Sequence, residues 1–92
     1  MIKSLWKTVP SVLSGKIDDE IVLMSVEAGY YFTLDPVASR IWELLSQHPL
    51  SIDELADQLI EEYNIEKEQC ISDIECFVND MSSKNLIEVV KD

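Results

Sequence analysis

Few residues in this chain could do chemistry, and their spacing argues against catalysis. Cys70 and Cys76 lie six positions apart in a stretch with helical patterning, about 240° apart around the axis, so they cannot pair with each other. A zinc site would need two further ligands at suitable spacing, and His48 is the single histidine. Both thiols therefore read as core or groove-wall groups in a reducing compartment. A serine or cysteine nucleophile needs a base within reach, and a histidine in the His48-Pro49 turn is a poor one. Gly15 and Gly29 are isolated and suit turns, so no phosphate-cradling loop is present. Carboxylates are plentiful, but on helix faces without an aromatic cleft they serve solvation better than acid/base work. An acyl carrier would require a serine in an Asp-Ser-Leu context, and no such triplet occurs. The expectation is a non-enzyme without cofactor or metal.

What remains is the run from Gly29 to Leu34, with three aromatics in succession at Tyr30, Tyr31 and Phe32. Successive strand side chains point to opposite faces, so the three cannot enter one core. If Phe32 and Leu34 pack inward, Tyr31 and Thr33 face elsewhere. Core packing accounts for Phe32 and Leu34 taken alone; the functional reading attaches to the strand as a unit. At a sheet edge it would leave backbone donors and acceptors open to an added peptide strand.

The elements that must position this strand are legible from local signals. Val9 to Lys16, broken by Pro10, suits a first or edge strand. Asp18-Asp19-Glu20 supplies a polar turn, Ile21 to Val26 a short apolar strand, and Glu27-Ala28-Gly29 the next turn, giving an antiparallel meander of two or three strands. Asp35-Pro36 is a helix start, and a first helix is expected over Pro36 to Gln47, with Val37, Ile41, Trp42, Leu44 and Leu45 as its apolar face. Ser51-Ile52-Asp53-Glu54 is a capping box, with Leu50 and Leu55 placed as a staple. The second helix carries Ile52, Leu55, Ala56, Leu59, Ile60 and Tyr63 at helical spacing, and Asn64 is expected to end it in the left-handed conformation. A third helix is predicted from about Glu66 to Lys84, with Ile71, Ile74, Val78 and Met81 as its core stripe and Phe77 beside it. Leu86 to Val90 suits a final strand or extended arm. The order predicts an α+β winged helix-turn-helix forming a single domain over residues 1–92.

Of 92 residues, 47% are apolar, which fits a folded chain with one core. Net charge is −11, with six acids against four bases in residues 1–50 and twelve against three in residues 51–92. A helix-turn-helix invites DNA, but the would-be recognition helix carries Glu68, Asp73, Glu75 and Asp80 against its two terminal lysines, Lys67 and Lys84. Phosphate contacts dominate nucleic-acid affinity, and this surface opposes them. Anionic lipid is repelled likewise, and no run is long enough to span a membrane. With no signal-peptide pattern at the N-terminus, a cytoplasmic location is expected.

The segments DDEIVLMSVEAGYYFTLDPVASRIWELL and LSIDELADQLIEEYNIEKEQCISDIECFVNDMSSKNLIEV resemble the PqqD-like family of precursor-peptide recognition elements over about residues 12–90. The telling pieces are Asp18-Asp19, Gly29 with the aromatic strand ending Leu34-Asp35, Ile41-Trp42-Glu43-Leu44-Leu45, and Asn85-Leu86-Ile87. The resemblance implies a winged-helix protein that binds the leader of a ribosomally made precursor as an antiparallel strand and presents it to modifying enzymes. The site it implies is the strand Tyr30, Tyr31, Phe32, Thr33 and Leu34 together with Asp73, Ile74, Cys76, Phe77, Asp80 and Met81 on the third helix. A free-standing member of this size is similar to the recognition proteins of lasso-peptide pathways, which partner a leader peptidase. Radical-enzyme partners, as in pyrroloquinoline quinone synthesis, are the alternative. The leader is expected to be partly basic and aromatic-bearing, to suit an acidic groove.

Overall fold

A computed structural model describes residues 4–27 and 29–90, with Tyr30 described as a strand position only. Its order is β1 (Trp6–Thr8), β2 (Val12–Ile17), β3 (Glu20–Ser25), β4 (Tyr30–Leu34), α1 (Pro36–Gln47), α2 (Ile52–Glu62), α3 (Lys67–Ser83) and β5 (Ile87–Val89). β2, β3 and β4 form an antiparallel meander in that order, and β1 pairs antiparallel with β5 in a separate two-stranded ribbon. This is the expected α+β winged helix. The N-terminal strand differs from expectation: Val9 to Lys16 divides at Pro10-Ser11, and a strand at Trp6–Thr8 precedes the break. A proline cannot donate to a ladder, so the chain turns there and changes sheets.

The helix starts follow their local chemistry. The Asp35 side chain accepts from the Ala38 amide at 2.8 Å, with Pro36 opening α1. Ser51 and Glu54 exchange both bonds of the capping box, at 3.2 and 3.0 Å. The end of α2 departs from the sequence reading. Tyr63 caps it with extended φ of −128°, and Asn64 is not among the described residues with positive φ. The left-handed asparagine is Asn85, at φ 61°, just beyond α3. There the amides of Asn85 and Leu86 donate to the carbonyls of Ser82 and Met81, a Schellman closure, with Met81 and Leu86 both buried.

The core gathers Ile21, Leu23 and Leu34 from the meander, Ile41, Trp42, Leu44 and Leu45 from α1, Leu55, Ala56 and Leu59 from α2, and Cys70, Ile74, Val78 and Met81 from α3. Ile71, expected in the α3 stripe, is half-buried, and Cys70 takes the buried place beside it. Burial pushes the Cys70 thiol above its ordinary pKa, with the nearby Asp73 carboxylate adding to the effect, which keeps it a neutral packing group. Ser39 is a buried polar residue that the apolar pattern does not reveal. Its hydroxyl accepts the Ile21 amide at 2.8 Å and donates to the Leu34 carbonyl at 3.1 Å, joining the ends of β3 and β4 to α1. No helix among the described residues is long and apolar enough to cross a membrane.

Candidate peptide-binding site

Among the described residues β4 pairs with β3 alone, so its other edge is open. Hydrogen-bonding parity identifies which groups it offers. The β2–β3 hairpin closes through a two-residue turn, with Ile17 opposite Glu20 and Asp18 at φ 56°. In such hairpins the closing residues exchange both bonds, and the direction then alternates residue by residue. Ile21, Leu23 and Ser25 therefore address β4, and Phe32 and Leu34 answer them. The Ser39 hydroxyl, inserted between the Ile21 amide and the Leu34 carbonyl, fits this phase. Tyr31 and Thr33 are left with amide and carbonyl groups directed at the open edge. β2 is also an edge, but Lys16 stands on it and pairs with Glu43 at 3.6 Å, the kind of charge that discourages strand addition. β4 carries no charged side chain.

The predicted site residues separate by burial. Tyr31 and Thr33 are exposed and Phe32 is half-buried, while Leu34 is buried against the core. On α3, Asp73, Cys76 and Asp80 are exposed and Phe77 is half-buried, but Ile74 and Met81 are 0% and 5% exposed. Leu34, Ile74 and Met81 thus support the surface from below and offer it no side chain. Tyr30 stands opposite Ser25 in the register.

The structure joins β4 to α3 through a residue absent from the predicted site. The Lys84 ammonium lies 5.6 Å from the centre of the Phe32 ring and 2.6 Å from the Asp80 carboxylate. The signal for half of this arrangement is in the sequence, since Asp80 and Lys84 are spaced i,i+4 on a helix. Its contact with Phe32 depends on tertiary packing. Asp73, further up the helix, accepts from the Gln69 side chain at 2.9 Å.

Beside Lys84 a cleft of about 790 Å³ separates the meander from the end of α3 and from β5, with Ser25, Glu27, Ser83, Asn85 and Glu88 among its walls. On the opposite, outward face of the meander, Leu13, Met24 and Tyr31 stand in register across the three strands, 57%, 49% and 70% exposed. The arrangement can bind an extended chain. Among the described residues no cluster of three metal-ligating side chains forms.

A family model described as coenzyme PQQ synthesis protein D (PqqD) matches residues 20–87. A solved structure described as TbiB1 in complex with the TbiA(beta) leader peptide is 36% identical, covers 94% of this chain and 99% of its own, and has a TM-score of 0.84. A lasso peptide synthetase B1 complexed with the leader peptide shares the fold, at 24% identity over 90% of this chain and 96% of its own, with a TM-score of 0.78. No curated protein matches the chain. The matched segment takes in β3, β4, all three helices and the start of β5, and the chain belongs to the PqqD family.

Proposed function

We propose that this protein is a non-catalytic recognition element that binds the leader of a ribosomally made precursor peptide as an antiparallel strand on β4. The observation carrying the reading is the uncharged open edge at Tyr31 and Thr33, in a chain 36% identical to a leader-bound protein. Backbone bonds to Tyr31 and Thr33 supply affinity, and side-chain pockets supply selectivity. Phe32 and Phe77 take apolar leader groups. Asp73, Cys76 and Asp80 form the helical wall, and the carboxylates favour a basic leader.

The lasso pathway, with delivery to a leader peptidase in the cytoplasm, is the assignment we favour. The lasso synthetase fold match supports it, while the family's description keeps delivery to a pyrroloquinoline quinone enzyme as the second reading. The genes beside this one decide between them: a short precursor next to a peptidase and a cyclase supports the first.

Fluorescence anisotropy with the leader encoded nearby tests the binding reading. Thr33→Pro should weaken binding about tenfold or more by deleting an edge donor, with circular dichroism confirming the fold. A leader N-methylated at the bonds facing β4 should lose affinity without any change to the protein. Asp80→Lys should weaken a basic leader further. Absence of saturable binding, or indifference to all three changes, would sink the proposal.

A further inference from the structure

The cleft beside Lys84 contains a second open strand edge. Among the described residues β5 pairs only with β1, in the register Trp6 with Val89, Lys7 with Glu88 and Thr8 with Ile87. The bonds flanking that ladder, Val9 amide to Leu86 carbonyl at 3.0 Å and Val90 amide to Leu5 carbonyl at 2.8 Å, set its phase. Alternation then makes Lys7 and Glu88 the bonded pair between them. The amides and carbonyls of Ile87 and Val89 point away from β1, and both residues line the cleft. On the β1 side the corresponding groups of Trp6 are satisfied by Leu50, at 2.8 and 3.1 Å, whereas Ile87 and Val89 have no such partner among the described residues. Ile87 is 1% exposed. Its groups are therefore nearly closed to an incoming chain, and Val89, half-buried, is the part of the edge that borders a space large enough to take one.

We infer that the β5 edge is a second strand-addition site, occupied by the part of the precursor that follows, in the C-terminal direction, the segment bound to β4. This rests on the leader-binding reading. A strand antiparallel to β4 runs from the Leu34 end toward Tyr30, which stands opposite Ser25. Ser25 is itself a wall of the cleft, as are Ile87 and Val89, so the Tyr30 end of β4 lies one strand away from the space that β5 borders. The walls suit an extended backbone: strand amides and carbonyls on one side, the Ser11, Ser82 and Ser83 hydroxyls around them, and the Glu27 and Glu88 carboxylates able to receive a basic side chain. Lys84, the cation among these lining residues, is already engaged by Asp80. Binding would be two-part, with β4 taking the upstream strand and β5 holding the downstream one, so that the protein sets the direction in which the precursor leaves.

Residue-resolved amide exchange tests this with two synthetic peptides: the full leader encoded beside this gene, and a form trimmed at its C-terminal end. The full leader should slow exchange at Tyr31, Thr33, Ile87 and Val89, and the trimmed form at Tyr31 and Thr33 only. The full leader should also bind about tenfold more tightly, the value of a few added backbone bonds. Protection at Tyr31 and Thr33 by both peptides with Ile87 and Val89 unchanged would overturn the second site and leave the leader reading standing. Protection at neither edge by either peptide would overturn both.

Discussion

At the scale of single residues, Ser39 shows how a polar side chain can set the geometry of a binding edge. Its hydroxyl stands where a direct bond between Ile21 and Leu34 would close the last rung of the ladder, accepting from one and donating to the other. It is 1% exposed, so deletion strands a buried amide and a buried carbonyl at once. Ser39→Ala should cost about 1–3 kcal/mol, the desolvation penalty of an unpaired buried group. Urea unfolding with an unchanged m-value would measure it. A loss below about 0.5 kcal/mol, smaller than a typical net hydrogen bond, would mean that the rung closes without the hydroxyl. Because Leu34 ends β4, the same variant reports how firmly the edge strand is anchored to α1. Lys84 is the other residue whose role emerges only from packing, since its contact with Phe32 joins two elements far apart in sequence.

At the scale of elements, what was legible in the sequence was what local chemistry decides. Asp35-Pro36 and Ser51 with Glu54 each satisfy their own helix start, so α1 and α2 begin where those residues stand. The meander follows from strand-length apolar runs and turn residues. The β1–β5 ribbon was not legible, because its strands come from opposite ends of the chain and each is three residues long. The same limit hid the cleft that this ribbon borders. The two asparagines show why a residue type is not a conformation. Asn64 follows a helix whose last turn closes with the Tyr63 amide on the Leu59 carbonyl at 2.7 Å, and needs no left-handed residue. Asn85 precedes the buried Leu86, which must fold back over Met81, and only a left-handed residue allows that turn. Asn85→Val should therefore cost about 1–2 kcal/mol, the penalty for a β-carbon in that conformation, while Asn85→Gly should be neutral or slightly stabilising. Thermal unfolding of the pair checks this, and equal stability of the two variants would contradict the assigned closure.

For the whole molecule, charge and tertiary ion pairs act in opposite directions as pH falls. A net charge of −11 repels itself, so mild acidification or added salt should stabilise the fold from neutral pH downward. Against this stands the clamp between α1 and α2, where Arg40 grips Glu62 through two bonds at 2.7 and 2.8 Å. The Arg40 hydrogen bond holds the Glu62 carboxyl below its ordinary pKa, with the Gln58 side chain helping against the effect of burial. A depressed carboxylate contributes stability above its unfolded pKa and loses it as pH falls through the lower folded value. That loss therefore lies at and below the ordinary carboxylate range. The same bond raises the Arg40 guanidinium above its ordinary pKa, so Arg40 stays charged throughout the acidic range and the pair is lost only through protonation of Glu62. The two side chains are 29% and 27% exposed, so solvent screening limits the pair to about 1 kcal/mol or less. The expected profile rises as pH is lowered from 8 toward 5 and falls below about 4, where carboxylates ordinarily titrate. Glu62→Gln should keep the rise, lose stability at neutral pH, and converge with the parent chain in acid. Urea midpoints measured at each pH provide the check. A constant gap between the two curves down to pH 2.5 would show that the Arg40 clamp does not depend on the charge of Glu62, and that the bond holds α1 to α2 by shape alone.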